Sequence, residues 1–273
     1  MIRLALIAIF SVLIANSTYA QQASVDTLYT GLKKATSFLI ANEAIYIVEQ
    51  GNHRILKLNL DGKLIEKHGN RGSGNYQFDN PVDIASSTGL KIFVSDAGNN
   101  RIQVFDKRWQ YLSSITGNEK FRTRNEISPE FIGVNKLGEI FFSDQRTKSL
   151  GKYDEDGAYL DQIPIPSAIK SVSGLQISGS KVFLLDTKSE LIHRLSENGF
   201  YESFYKAEKG TAFYSNEDEI YIGQSHFLKI ASKDGVKNLY KFKPESDVKK
   251  ILVIGNEVYI LVDNYLLKLI LSR

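Results

Sequence analysis

The chain repeats one unit six times, and that periodicity limits its fold more than any single residue does. Short β-prone runs with an aromatic in second place occur at Ile45-Tyr46-Ile47-Val48, Ile92-Phe93-Val94-Ser95, Ile140-Phe141-Phe142-Ser143, Val182-Phe183-Leu184-Leu185, Ile220-Tyr221-Ile222-Gly223 and Val258-Tyr259-Ile260-Leu261. Successive aromatics are 47, 48, 42, 38 and 38 residues apart, which is the period of propeller blades and solenoid repeats. A second marker keeps the same register. An aliphatic opens the next strand at Ile55, Ile102, Leu150 and Ile192, nine residues after the aromatic, and at Leu228 and Leu266, seven after it. The shorter interval predicts a tighter turn in the last two units.

A third marker falls seven residues later, at Gly62, Trp109, Gly157, Gly199, Gly235 and Arg273. Four of these complete Asp61-Gly62, Asp156-Gly157, Asn198-Gly199 and Asp234-Gly235, dipeptides suited to the positive φ angles of a type I′ hairpin. Arg108-Trp109 breaks the rule and predicts a longer or differently shaped turn. Each unit also has an apolar strand before its aromatic strand, such as Val82-Asp83-Ile84-Ala85, and one after its Gly turn, such as Ala158-Tyr159-Leu160-Asp161. Four strands per unit make a propeller blade. The sixth unit reaches Arg273 where the turn to its fourth strand would begin, while Val25-Asp26-Thr27-Leu28-Tyr29 precedes the first unit unassigned. Pairing the two closes the ring and removes the open edges a solenoid would have to cap. The expected fold is an all-β, six-bladed propeller of four-stranded blades over residues 21–273, without a second domain.

Residues 1–20 stand apart from the repeats. Arg3 precedes an apolar run from Leu4 to Ala15 that is short of the ~20 residues a bilayer span needs. Small residues then lead to Ala20, the layout of a secretory signal peptide cleaved after that residue. The chain contains no Cys, which removes lipidation, disulfides, thiolate metal sites and cysteine nucleophiles together. The expected location is therefore periplasmic or secreted, with no stable membrane insertion after cleavage. A net charge of +3 gives no nucleic-acid signature.

Gly98-Asn99-Asn100-Arg101-Ile102-Gln103-Val104-Phe105-Asp106, preceded by Phe93-Val94-Ser95-Asp96, resembles an NHL repeat. Gly51-Asn52-His53-Arg54-Ile55 repeats it one blade earlier, and the Gly-rich connector from Gly69 to Pro81, with Phe78, is similar to the same family. The resemblance is strong over residues 45–106 and partial in blade 3, where Asp144 and Tyr153-Asp154-Glu155-Asp156-Gly157 survive. In blades 4 to 6 only the register persists. The family implies a fold and a binding platform, not one reaction, and the N-terminal apolar segment makes an exported bacterial type the expectation.

Candidate site residues follow from this frame. Asp96 with Arg101 and Glu49 with Arg54 invite a catalytic reading, but a carboxylate at a strand end more commonly caps the amides of the following turn and pairs with the Arg. His53, His68, His193 and His226 fall at positions that do not converge, whereas a tetrahedral zinc needs three protein ligands on one ion. Among the innermost strands, read as Ser37–Ile40, Val82–Ala85, Phe131–Val134, Val172–Leu175, Thr211–Tyr214 and Ile251–Ile254, only Asp83 is acidic. One carboxylate is far from the six to eight oxygens of a calcium site, so no metal or cofactor is expected. The resemblance implies Gly at that position, which makes Asp83 an informative departure. A plain alternative is a carboxylate bonded to exposed amides at the channel mouth.

Two long connectors, His68–Pro81 and Thr116–Pro129, carry Arg71 and Tyr76 and then Lys120, Phe121, Arg122, Arg124 and Glu126. Both lie on the face that also bears the turns between second and third strands, and basic and aromatic residues together suit an anionic or glycan-like partner. The expectation is a non-enzymatic scaffold engaging a protein, peptide or glycan, with Arg71, Tyr76, Asp83, Arg122 and Arg124 around one channel mouth. The alternative is a propeller enzyme, a lyase or lactonase-like hydrolase, acting at that mouth.

Overall fold

The structure, a computed structural model, describes residues 21–22, 24–86, 88–117, 126–216, 218–232, 235–243 and 246–271. The segment 1–20, expected to be a signal peptide, and the positions Lys120, Phe121, Arg122 and Arg124 lie outside the described residues. Six antiparallel blades form the body, each running from an inner to an outer strand. Blade 1 holds Ala35–Ala41, Ala44–Glu49, Arg54–Asn59 and Leu64–His68; blade 2 holds Pro81–Ala85, Lys91–Asp96, Arg101–Asp106 and Tyr111–Ile115. Blade 3 holds Pro129–Val134, Ile140–Asp144, Ser149–Tyr153 and Tyr159–Pro164; blade 4 holds Gly174–Ser178, Lys181–Asp186, Leu191–Ser196 and Tyr201–Lys206. Blade 5 holds Ala212–Ser215, Ile220–Gln224, Phe227–Ser232 and Gly235–Lys241. Blade 6 holds Val248–Ile254, Glu257–Val262 and Tyr265–Ile270, and its outer strand is Val25–Thr30 from the other end of the chain, paired antiparallel to Tyr265–Ile270. The inner strands touch in sequence around the channel, with blade 6 against blade 1. The ring is closed as the repeat arithmetic requires.

The repeat markers are packing devices. Each of the six junctions has its own apolar cluster, and the second-position aromatic of every blade enters the cluster shared with the next blade: Tyr46 meets Ile92 and Trp109, Phe93 meets Ile132, Phe141 meets Leu175, Phe183 meets Phe213, Tyr221 meets Val248, and Tyr259 meets Phe38. All six aromatics are buried. A buried aromatic removes ~150–250 Å² from water, so one wedge per blade, each facing the same way round, makes every blade depend on its neighbour.

The hairpin turns correct the sequence reading. Gly62, Gly157, Gly199 and Gly235 all have positive φ, and the first three donate their N–H groups to the carbonyls three residues back, of Asn59, Asp154 and Ser196. One strand register slips beside each turn, between Lys57 and Leu58, Lys152 and Tyr153, and Arg194 and Leu195. These are type I turns followed by a left-handed bulge residue, not type I′ hairpins. The first turn residue does the organising: Asp154 accepts from the Asp156 and Ala158 amides at 3.0 and 2.7 Å.

Blade 2 uses the same turn, against the expected departure. Asp106 accepts from the Arg108 and Gln110 amides at 2.9 and 2.7 Å, and Trp109 occupies the glycine position at φ 64°. Left-handed backbone costs an ordinary residue ~1–2 kcal/mol. The Trp109 ring is buried and stacks on Phe105 at 4.4 Å, His68 at 4.8 Å and Tyr46 at 5.2 Å. Burial of that much ring, at ~25 cal/mol per Å², outweighs the backbone cost.

The turns between second and third strands are tighter in blades 5 and 6, as the spacing predicts. Gln224 pairs directly with Phe227, and Leu261 with Leu266. In blades 1 to 4 the equivalent turns are longer and place His53, Asn100, Lys148 and Glu190 at φ 51°, 51°, 52° and 57°. No helix among the described residues is long and apolar enough to cross a membrane.

Candidate functional site

Two surfaces meet at one end of the channel: the inner strand edges, and the face bearing the second-to-third-strand turns and the interblade connectors. The channel encloses a cavity of about 710 Å³ lined from all six blades. Asp83, at the middle of blade 2's inner strand, is 1% exposed. Its Oδ1 accepts from Ser37 Oγ of blade 1, from the Ile84 amide at 2.9 Å and from Lys250 Nζ of blade 6 at 3.1 Å. Its Oδ2 accepts from the Ile132 amide of blade 3 at 2.9 Å. Four blades are thus tied through one carboxylate. Inner-strand amides facing the channel have no ladder partner, and a buried donor left unpaired costs ~1–3 kcal/mol. Asp83 answers two such donors and one ammonium at once.

Further side chains staple neighbouring inner strands. Ser95 Oγ accepts from the Asp83 amide at 2.9 Å and donates to the Glu130 carbonyl at 2.7 Å. Gln176 of blade 4 bonds both the amide and the carbonyl of Ser215 at 2.7 and 2.9 Å, and Thr211 donates to the Val248 carbonyl at 2.8 Å. The inner strands of blades 3 and 6 begin earlier than their apolar runs suggest, at Pro129 and Val248. Asp83 is therefore not the sole acid: Glu130 also belongs to an inner strand and lines the cavity, with Lys249 and Lys250 opposite. The adjacent pair Lys249-Lys250, ahead of an apolar strand, was the available signal for a charged channel wall.

On the turn face a carboxylate at the end of each second strand in blades 1 to 4 catches the connector arriving from the previous blade. Glu49 accepts from the Lys33 amide at 3.0 Å, Asp96 from Asp79 at 2.7 Å, Asp144 from Ser128 at 3.3 Å and Asp186 from Lys170 at 2.7 Å. Arg54 pairs with Glu49, and Arg101 Nε with Asp96 at 2.8 Å. These are the structural roles expected of the two acid–Arg pairs. The Arg101 guanidinium also donates to the Gly74 and Gln77 carbonyls at 2.8 and 2.9 Å, Gln103 to Gln77 at 2.7 Å and Asn99 to Gly72 at 2.8 Å. The Asn-Asn-Arg-Ile-Gln motif is a clamp on the long Gly69–Asn80 connector.

Asp186 shows how firmly such a latch holds its charge. Burial works to raise its carboxyl, but hydrogen bonds from Ser189, the Lys170 amide and Ser171 outweigh it and hold the group at about 2. Nearby His193 is pushed below its ordinary value by burial, against the pull of Asp186. Its Nδ1 meets Tyr201 Oη at 3.1 Å.

The structure separates the residues grouped by the sequence. Asp83 lines the channel. Arg71 is exposed on the turn face, with Nε 3.5 Å from Asp79 Oδ1, and it does not line the cavity. Asp79 also lies 3.3 Å from His53 Nδ1, which accepts the Asn80 amide at 3.1 Å. Tyr76 sits away from the channel mouth, over the outer half of blade 2: its Oη accepts the Tyr111 amide at 2.8 Å, and its ring lies 5.7 Å from Phe105. The clamp on the connector turns Tyr76 outward. Arg122 and Arg124 lie outside the described residues, in a connector whose stem is closed by a bridge between Gly117 and Glu126. The histidines are dispersed, and no three His, Asp or Glu among the described residues are placed to hold a metal.

Charge on the turn face is unbalanced. Glu126, Glu208 and Asp263 are each paired, with Arg146, Lys229 and Lys249. Lys34, Lys148, Lys188 and Lys209 are exposed and make no ion pair among the described residues, against the similarly exposed acids Glu190 and Asp247. The hairpin face interleaves both signs, with Asp61 beside Lys63, Lys107 and Arg108 on blade 2, and Glu155 and Asp156 against Lys91.

Comparison with known proteins agrees with this architecture. The NHL repeat family matches residues 78–105. The human NHL repeat-containing protein 3 is 39% identical over 66 residues, 23% of this chain. That stretch spans 19% of the human protein's length. Virginiamycin B lyase from Staphylococcus aureus superposes with a TM-score of 0.65 at 12% identity, covering 92% of this chain and 100% of the lyase. A gluconolactonase from Xanthomonas campestris gives 0.67 at 14% identity over 92% of this chain and 90% of its own. The RRP9 WD40 repeats give 0.67 at 9% identity over 93% and 100%. At these identities the likeness is one of fold, shared by enzymes and WD40 propellers alike. The chain carries an NHL repeat on a six-bladed β-propeller.

Proposed function

We propose that this NHL-repeat propeller is an exported, non-enzymatic binding scaffold whose turn face engages an acidic protein or peptide, or an anionic glycan. The carrying observation is the placement of Asp83. The carboxylate best positioned for chemistry in the channel is buried and consumed by four donors from four blades, whereas the turn face offers exposed cations held on latched, rigid turns. Specific binding on a repeated scaffold needs side chains that differ from blade to blade while the backbone stays fixed. His53, Asn100, Lys148 and Glu190 meet that requirement, sharing one backbone conformation and differing in chemistry. Arg71 extends the cationic surface along the first long connector, the sequence of the second supplies Arg122 and Arg124, and cleavage after Ala20 delivers the propeller to the cell envelope.

A second reading rests on Glu130, which lines the cavity with the Lys249-Lys250 pair opposite. An acid there would serve a lyase or a lactonase-like hydrolase.

A photo-crosslinking residue placed at Lys148 or Lys188, and separately at Lys107 on the hairpin face, tests the leading reading in the exporting cell. A discrete crosslinked partner from the turn-face positions alone is the expected result. Crosslinking from Lys107 alone contradicts it, and a turnover abolished by Glu130→Gln would replace it with the enzymatic reading.

A further inference from the structure

Blade 4 presents an edge unlike the others. Its outer strand, Tyr201–Lys206, is bonded on one side to Leu191–Ser196 and has no strand on the other among the described residues. Phe200 is 74% exposed, Phe204 53% and Tyr201 43%. The outer strands of blades 1, 2, 3 and 5 each expose one large apolar side chain among the described residues, Ile65, Leu112, Leu160 and Val236. An open strand edge flanked by exposed aromatics is a template for further pairing, which proteins ordinarily blunt. The neighbouring blade shows such an edge occupied: Gln21–Gln22 add a fifth strand, parallel to Tyr240–Lys241, outside blade 5.

The blade 4 edge is complementary to itself. Run antiparallel about Phe204, the segment Tyr201-Glu202-Ser203-Phe204-Tyr205-Lys206 sets Phe204 opposite its own copy and Glu202 opposite Lys206, twice. Lys206 is exposed and makes no ion pair among the described residues. Glu202 is held by Lys181 and by Arg194 at 3.1 Å, and each carboxylate oxygen keeps a lone pair for a further donor. Opposite charges and aromatic pairs placed directly across strands stabilise a sheet.

We propose that this edge joins a second copy of the chain by a two-fold antiparallel strand pair centred on Phe204, fusing the two copies of blade 4 into one eight-stranded sheet. A two-fold contact uses the same patch on both copies and closes at the dimer. Three aromatic side chains per copy and one strand pair place the contact at the small end of specific interfaces, ~1,200 Å². The dimer should therefore dissociate on dilution.

Sedimentation velocity of the purified protein across a wide concentration range tests this. The expected result is a monomer–dimer equilibrium whose dissociation constant rises at least ~10-fold with Phe204→Lys and with Lys206→Glu, as for loss or reversal of a facing charge. Glu202→Lys alone should also dissociate, and mixing it with the Lys206→Glu protein should restore a dimer, because the two altered edges then carry opposite charges. Circular dichroism checks the fold of each variant. Should Glu202→Lys fail to fold for want of its contacts with Lys181 and Arg194, Phe204→Lys and Lys206→Glu decide the question. A protein monomeric at every concentration overturns the proposal, as does a dimer indifferent to those two substitutions, or a monomer whose blade 4 edge takes up extended peptides without self-association.

Discussion

Blades 1 to 4 and blades 5 and 6 solve one problem differently. In the first group a longer turn brings a carboxylate, Glu49, Asp96, Asp144 or Asp186, onto the amide of the incoming connector. In blade 5 the same position is Gln224, whose amide donates to the Glu208 carbonyl at 2.6 Å. Blade 6 has Val262 there, its incoming connector being held by backbone bonds from the Phe242 and Ser246 amides to the His226 and Ser225 carbonyls of the blade 5 turn at 3.0 and 2.9 Å. Charged acceptors make hydrogen bonds roughly twice as strong as neutral ones. Blades 2 to 4, which receive the longest connectors, hold them with a strand-end carboxylate, as blade 1 holds its short one. Blades 5 and 6 lack that carboxylate and carry turn-face ion pairs elsewhere, Lys229 with Glu208 and Lys249 with Asp263.

The largest test of this contrast is at the seam of blade 6, which lacks the strand-end carboxylate. Removing residues 21–30 takes away blade 6's outer strand and leaves Leu266, Leu267 and Leu269 of its third strand without cover. Cooperative unfolding should be lost or shifted far down in a calorimetric scan, and an unchanged melting temperature would show that the ring does not need its seam.

Asp96→Ala comes next. It strands the largely buried Arg101 and frees the Asp79 amide, and loss of one partner from such a pair costs ~3–5 kcal/mol. Chemical denaturation measures this, with faster proteolysis within Gly69–Asn80 as its local signature. Acid sharpens the comparison further. Asp186, held at about 2 in the folded protein, has an ordinary unfolded value near ~3.9. Its contribution is complete above the unfolded value and is lost as pH falls toward 2, ~2 kcal/mol in all. His193 and His68, both lowered by burial, begin the loss earlier, because the unfolded chain takes up protons on them below ~6.5. Asp186→Asn should flatten the lower part of that profile. The smallest effect belongs to blade 5: Gln224→Ala removes one neutral, exposed bond and should cost ~1 kcal/mol or less.

Architecture was legible because it is written in spacing. The aromatic wedge and the strand-opening aliphatic recur in register, and both point into the junction with the next blade, so their period is the period of the ring. Turn type was misread because Asp-Gly is a local cue, while the organising residue stands two or three positions earlier, at Asn59, Asp106, Asp154 and Ser196. That is also why Trp109 fits where Gly was expected. Site residues were harder to place. Arg71 and Tyr76 share one connector, yet Arg101 and Gln103, held by side-chain bonds that spacing does not encode, turn Tyr76 away from the channel. Asp83 stood out by type, but its partners Ser37, Ile132 and Lys250 come from three other blades, and nothing local connects them.

The central claim is that Asp83 braces the ring and does not serve as a metal ligand or catalytic group. Thermal unfolding of the wild-type protein and Asp83→Ala, each after chelation and again with added calcium or zinc, tests it directly. The account predicts a loss of ~3 kcal/mol in the variant, as for a buried charge pair deprived of one partner, and no response of either protein to the ions. A melting temperature that rises with calcium or zinc in the wild type, with the rise abolished in Asp83→Ala, would contradict it.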